Sequence, residues 1–157
     1  MPSISRYINV ISRASGMFRL TSFENEELRP YLHGYIIALT RTPGLSQEQI
    51  ARRLCVDKSS VARALAVLEK MEYVERRRSD SDRRITLVYP TEKAVSSCDK
   101  IRVAFREWNE YINAAFTEEE AKQFILLLEK AARRAAEYAE TELDGVDFSE
   151  EDGGEEK

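Results

Sequence analysis

The sequence predicts a mainly α-helical fold with one small β-hairpin, and three observations carry that prediction. Near both ends of the chain, over 3–20 and 92–142, apolar residues recur at helical spacing. Between these regions, two short helical segments begin with N-cap signals at Ser46 and Asp57. Two alternating stretches then flank a polar segment near 79–84, as is typical of an exposed hairpin.

The overall composition indicates one globular domain followed by an acidic segment. The chain has 157 residues, and its net charge of -4 reflects a run of Asp and Glu after Glu137. Without that run the chain is net basic, so its pI of about 5.3 does not argue against a nucleic-acid partner. We predict a single domain over 1–142 and a disordered tail over 143–157. With no signal peptide, no membrane span and two distant cysteines, we expect a cytoplasmic protein.

The terminal regions are predicted to form long amphipathic helices that pack in a homodimer. The first helix covers 3–20, a buried second helix covers 31–40, and a long helix begins near Thr91. Thr117 and Glu120 form a capping box that opens the last helix. A chain of this length offers these apolar stripes few internal partners, so burial against a second copy is expected. The stripe of the last helix consists of Ala121, Phe124, Leu127, Leu128, Ala131, Ala135 and Tyr138.

The central stretch, 45–91, has the pattern of a helix-turn-helix followed by a hairpin. Ser46 and Gln49 form a capping box at the start of its first helix, and Asp57 caps the second. In the second helix, residues at core spacing are apolar, while the opposite face carries small residues and Arg63. Small residues allow a helix to approach another surface closely. We therefore predict a winged helix-turn-helix lobe that binds double-stranded DNA, flanked by N- and C-terminal dimerisation helices.

Particular residues of this lobe are expected to contact DNA. Arg63 can pair with guanine in the major groove, and Arg83 or Arg84 at the hairpin tip can enter the minor groove. Asp82 is expected to pair with an arginine and hold it in place. The alternative is that the basic hairpin is only a solvated strand edge. The predicted DNA-binding residues are Ser46, Lys58, Ser59, Ser60, Ala62, Arg63, Arg76, Arg78, Arg83 and Arg84.

These motifs together resemble the multiple-antibiotic-resistance-regulator (MarR) family of winged-helix transcription factors. The resemblance rests on the segments 45–51, 56–63, 74–78, 82–84 and 91–93. It implies a homodimeric regulator, which we expect to be a repressor, on a pseudo-palindromic operator. It also implies a small, often aromatic or lipophilic effector that binds between the dimer helices and the DNA lobe.

The chain departs from the family pattern at three capping or turn positions. Cys55, Glu72 and Ala94 stand where the family often has Gly. If the backbone is left-handed at Cys55, a non-glycine residue there is strained by about 1 kcal/mol.

The sites beyond the DNA lobe are less specific in sequence. The candidate effector pocket consists of Arg13, Met17, Tyr31, His33 and Tyr35. For His33 the alternative is a buried histidine bonded to the backbone. A thiol-based redox regulator through Cys55, or a winged-helix adaptor for protein partners, are alternative functions. No catalytic constellation, cofactor motif or metal-ligand spacing is present, so we expect neither an enzyme nor a metal site.

Overall fold

The computed structural model describes residues 3–24 and 27–138, and it confirms the mainly helical fold with a small sheet. The predicted tail at 143–157 lies outside the described residues. No helix in the described ranges is both long and apolar enough to cross a lipid bilayer. The elements in order are α1 (Ile4–Ser22), α2 (Pro30–Arg41), β1 (Leu45–Ser46), α3 (Gln47–Leu54), α4 (Lys58–Lys70), β2 (Val74–Arg78), β3 (Thr86–Pro90), α5 (Glu92–Asn113) and α6 (Glu118–Tyr138).

Helix α2 lies at the centre of the core and joins the DNA lobe to the terminal helices. Its residues Leu32, Ile36 and Leu39 are fully buried. The helix contacts α3, α4 and β3 on the side of the lobe, and α1 and α5 on the other. The other large side chains that are fully buried include Ile50, Val61, Leu65, Leu68, Val88 and Ile101.

The sheet has three strands rather than the two of the predicted hairpin. β1 pairs antiparallel with β3, which pairs antiparallel with β2, in the order β1-β3-β2. The chain enters β1 through Gly44, whose φ of +82° favours glycine. A Cβ at this position would lie 3.0 Å from the Tyr89 hydroxyl, so this close approach also favours glycine. β1 anchors the start of α3 to the base of the wing.

The predicted helix caps are present. The Ser46 hydroxyl accepts from the Gln49 backbone at 3.3 Å, and the Ser46 N–H donates to Gln49 Oε1 at 2.8 Å. Asp57 Oδ1 accepts from the Ser60 backbone at 2.9 Å at the start of α4. These caps fix where both helices of the lobe begin, and so fix the face that each presents.

Cys55 and Glu72 are both in the left-handed region, with φ of 51° and 61°. In each case the residue and its successor bond back to the preceding helix in a Schellman pattern. The N–H groups of Val56 and Tyr73 reach the carbonyls of Ala51 and Leu68, at 3.1 and 2.8 Å. The left-handed backbone on which the expected strain at Cys55 depends is therefore present, and Glu72 shares it.

Glycine should relieve this strain. Left-handed backbone costs a non-glycine residue about 1–2 kcal/mol. Glycine removes that cost but raises the entropy of the unfolded chain, which lowers stability by about 0.4–1 kcal/mol. We expect Cys55→Gly and Glu72→Gly each to raise the free energy of unfolding by about 0.5–1 kcal/mol, measured by urea denaturation at fixed protein concentration. Ala66→Gly, in the exposed interior of α4, is the control and should lose about 1 kcal/mol. No gain from either turn variant would contradict the strain.

The predicted apolar stripes of α1 and α6 are largely exposed in the single chain, whereas that of α5 buries Cys98, Ile101 and Trp108. On α6 only Ala136 is buried, while Leu127 and Leu128 are 62% and 39% exposed. On α1, Ile4 and Tyr7 are 73% and 58% exposed. No other element of the described chain covers this face of α6, so its burial against a second copy stays a prediction.

Candidate nucleic-acid interface

Helix α4 presents a face of small residues and one arginine to solvent. Its buried residues are Val61, Ala64, Leu65 and Leu68, which fix the helix against the core. The exposed residues of the opposite face are Ser59, Ala62, Arg63, Ala66 and Val67. With no long acidic side chain among these five, the backbone of α4 can approach a groove closely.

Asp57, Ser60 and Arg63 form a chain of hydrogen bonds at the N-terminus of α4. The Ser60 hydroxyl donates to Asp57 Oδ2 at 2.6 Å, and Arg63 Nη2 donates to Ser60 Oγ at 3.1 Å. The hydrogen bonds from the Ser60 hydroxyl and backbone hold the pKa of Asp57 below its ordinary value. Arg63 is therefore held on the exposed face, one turn along the helix.

Lys58 is paired within the protein. Its ammonium lies 2.8 Å from Glu48 Oε1 of α3, and both side chains are exposed. This hydrogen bond and the Lys58 charge lower the pKa of Glu48. Sequence spacing did not reveal the pair, because its members are ten residues apart across the turn. Lys58 must leave Glu48, or share it, to contact a phosphate.

Two arginines of the wing are also paired. Arg76 Nε lies 3.1 Å from Glu69 Oε2 at the end of α4, which ties the wing to that helix. Arg77 pairs with Glu75, and its guanidinium lies 4.6 Å from the centre of the Tyr89 ring. Arg78 is exposed next to the tip. Arg76 therefore has a structural partner that the sequence did not indicate.

The tip of the wing is organised by Ser79 and Asp82. The buried Ser79 places its hydroxyl 2.9 Å from that of Ser81, and its N–H donates to the Ile85 carbonyl at 2.9 Å. Asp82 Oδ1 accepts from the Arg84 backbone N–H at 2.9 Å.

The role predicted for Asp82 needs correction. Its carboxylate bonds to the backbone of Arg84 and not to a guanidinium, because the tight turn brings that N–H closer than any side chain. Asp82 thus shapes the turn and leaves the exposed side chains of Arg83 and Arg84 projecting from it.

Comparison with known proteins decides what this lobe is. The model of the MarR family matches residues 35–86, from α2 to the start of β3. The HTH-type transcriptional regulator BilQ of Clostridium symbiosum is 27% identical over 127 residues, covering 81% of this chain and 88% of that protein. The chain belongs to the MarR family. It is a DNA-binding transcriptional regulator of that family.

Solved structures of MarR and SlyA regulators share this fold. The structure of the transcriptional regulator SlyA has a TM-score of 0.83 and 27% identity, covering 88% of this chain and 97% of that one. A chain from Listeria monocytogenes assigned to the MarR family was solved in complex with 26mer DNA. It has a TM-score of 0.82 and 25% identity, covering 88% of this chain and 93% of that one.

The pocket residues predicted for this MarR family chain do not converge on one cavity. The open cleft of about 540 Å³ between α1 and α2 includes only one of them, Tyr31. Arg13 and Met17 are exposed on α1 but do not line it. Sequence reasoning missed most of the lining, which is Gly16, Arg19, Leu20, Arg29, Pro30 and Tyr31.

His33 and Tyr35 are buried instead. His33 is fully buried, its Nε2–H donates to the Leu28 carbonyl at 3.4 Å, and its ring lies 4.5 Å from that of Phe23. This is the backbone-bonded alternative, and it corrects the assignment of His33 to a pocket. Burial raises the pKa of Tyr35, and the nearby Asp57 raises it further. Tyr35 is therefore a core residue of α2 and not part of a pocket wall.

The two cysteines are free thiols in different environments. Cys98 is buried on α5, with Sγ 3.1 Å from Thr40 Oγ1. Cys55 is exposed at the turn between α3 and α4. Neither environment gives specific support to the redox alternative.

Proposed function

We propose that this regulator acts as a homodimeric repressor on a pseudo-palindromic operator, with one lobe on each half-site. The observation that carries this proposal is the exposed face of α4 with Arg63, next to a wing tip that projects Arg83 and Arg84. A helix of small residues fits the major groove, and a basic tip fits the adjacent minor groove. Lys58, Ser59, Arg76 and Arg78 surround these elements and are proposed to bind phosphates. Ser46, whose hydroxyl already caps α3, is proposed to contact the backbone from the edge of the lobe.

The domain limits and the location of the protein remain proposals of the same kind. We propose that 1–142 forms one functional unit, with 45–91 as the DNA lobe and the terminal helices as the dimer region. Cytoplasmic localisation follows from the need to reach the chromosome.

The dimer is supported by the exposed apolar faces of α1 and α6. Four consecutive apolar residues, 125–128, are each at least 39% exposed. Successive helical residues are about 100° apart, so these four point around most of the helix. Burying so much of the circumference of α6 needs more than one neighbouring helix. A second copy of the chain supplies these helices. Two-fold symmetry then places the two lobes on half-sites about one DNA turn apart.

DNA binding by this lobe should depend strongly on salt. We expect the affinity for the duplex upstream of the protein's own gene to fall by a factor of about 1,000 or more between about 50 and about 200 mM salt, if six or more phosphates are contacted. Fluorescence anisotropy with a labelled duplex measures this dependence. A scrambled duplex of equal length is the control, and should bind more weakly with a similar slope. A flat response would favour the adaptor for protein partners.

The repressor role is tested by a reporter gene placed behind the same upstream duplex. Deletion of the gene for this protein should raise expression of the reporter, and lower expression would contradict repression.

We also propose that the cleft between α1 and α2 binds a small effector, which we expect to be an aromatic carboxylate. Leu20, Pro30 and Tyr31 give the cleft an apolar wall that suits a ring, and the exposed Arg29 at its edge can pair with a carboxylate. The Arg19 guanidinium lies 4.5 Å from the centre of the Phe105 ring, so the cleft floor is coupled to α5. A ligand here could alter the spacing of the lobes.

Benzoate is a suitable probe of this cleft. We expect it to raise the thermal unfolding temperature and to weaken duplex binding, and Arg29→Ala to remove both effects. Arg13→Ala is a matched control, because Arg13 is exposed on α1 but does not line the cleft. Equal responses in wild type and Arg29→Ala would contradict a carboxylate site here.

A further inference from the structure

The hydrogen bonds at the start of α4 assign Ser60 a role different from that of its neighbour Ser59. A serine hydroxyl has one hydrogen, and that of Ser60 is donated to Asp57 Oδ2 at 2.6 Å. Phosphate oxygens only accept hydrogen bonds, so Ser60 has no donor left for DNA while this bond persists. Its oxygen instead accepts from Arg63 Nη2 at 3.1 Å.

We propose that Ser60 is a positioning residue, which holds the Arg63 guanidinium in the pose that reads a guanine and does not itself contact DNA. The inference rests on the proposed function, because it assigns Arg63 to a base. Asp57 fixes Ser60 twice, through the backbone N–H at 2.9 Å and through the hydroxyl. Ser60 is consequently held at a defined position, and one guanidinium nitrogen of Arg63 is fixed to it. The remaining donors of the fork belong to an exposed side chain and have no hydrogen-bond partner among the described residues.

This arrangement reduces the conformational freedom that Arg63 would lose on binding. Immobilising one long side chain on binding lowers the affinity by a factor of about two to ten. The hydrogen bond to Ser60 already restricts the Arg63 side chain in the free protein. Ser59 offers the contrast, since within residues 3–24 and 27–138 its exposed hydroxyl has no hydrogen-bond partner and can donate to a phosphate.

A double-mutant cycle separates the two roles. A duplex is first selected from a random library by the wild-type protein, and affinities are then measured for it and for a scrambled duplex. Ser60→Ala should lower the ratio of specific to non-specific affinity about three- to tenfold, but should have less than a twofold effect in an Arg63→Ala background. Ser59→Ala, the matched control, should weaken binding to both duplexes and by equal factors in both backgrounds. Ser60→Thr keeps the hydroxyl and should restore the wild-type ratio.

A modified base provides a readout that a merely structural role would not move. Replacing each guanine of the selected duplex in turn by 7-deazaguanine removes the N7 acceptor. At the guanine read by Arg63, wild type should lose affinity and Ser60→Ala should lose less. The backbone cap at Ser60 survives the alanine variant, so its thermal unfolding should be near that of wild type.

Two different failures are distinguishable. If Ser60→Ala weakens binding by the same factor with and without Arg63, Ser60 contacts DNA directly and the positioning role is overturned while the regulator stands. If the wild-type protein selects no sequence from the library, the proposed function falls, and the role of Ser60 falls with it.

Discussion

Arg63→Ala and Arg84→Ala should each weaken binding to the operator by at least tenfold and leave the dimer intact. A bidentate contact to guanine contributes about 1–3 kcal/mol of discrimination, which corresponds to about 5–150-fold. Both side chains are exposed and outside the core, so the fold should not change. Fluorescence anisotropy gives the affinity, and light scattering gives the mass.

The two variants should differ in what they lose. Arg63→Ala should relax the preference for one base in each half-site, whereas Arg84→Ala should reduce the preference for a narrow minor groove in A·T-rich flanks. Arg106→Ala, at an exposed arginine of α5, is the control and should bind as wild type. Unchanged binding in both lobe variants would refute the proposed docking.

Leu127→Glu should dissociate the homodimer and remove operator binding with it. Leu127 is 62% exposed in the single chain, and a charged side chain buried in its place would be unpaired in an apolar interface. A monomer retains one lobe and loses the gain from simultaneous binding, which is a factor of about 100 or more for linked modules.

The control has similar exposure but lies on α5, outside the apolar faces of α1 and α6 to which the dimer interface is assigned. Val95 of α5 is 53% exposed, so Val95→Glu changes charge and polarity in the same way. It should leave mass and affinity unchanged. A Leu127→Glu protein that remains dimeric by light scattering would show that α6 is not at the dimer interface.

Local interactions of the lobe could be predicted from the sequence. The Ser46 and Asp57 caps involve residues three apart. The left-handed turn at Cys55 is expected because α3 must end within two residues of the cap that begins α4. Short-range chemistry of this kind depends little on tertiary packing.

Long-range interactions could not be predicted in the same way. Glu48 meets Lys58 only because α3 and α4 cross, and β1 forms only because the turn at Gly44 delivers it to β3. The sequence left the position of His33 open between a pocket and the core for a related reason. A polar residue in an aromatic segment can face a pocket or the core, and the contact with Phe23 that decides it comes from a separate segment.

The effector cleft illustrates a different limit. Its residues come from the last two turns of α1 and from the start of α2 with its N-cap, and two of the residues between these helices are outside the described ranges. Sequence pattern identified aromatic and basic residues on each helix. Which of them share a surface depends on the angle at which the helices meet.

The carboxylates beside the basic residues of the lobe affect how tightly it holds non-specific DNA. Glu48 and Glu69 act as intramolecular counterions for Lys58 and Arg76, in place of anions from the solvent. We expect a phosphate to exchange with a tethered carboxylate when DNA binds, and the carboxylate then remains nearby and competes for the same cation. Arg63, Arg83 and Arg84 have no such acid partner among the described side chains. We therefore expect non-specific duplex to be held less tightly and to be released rapidly.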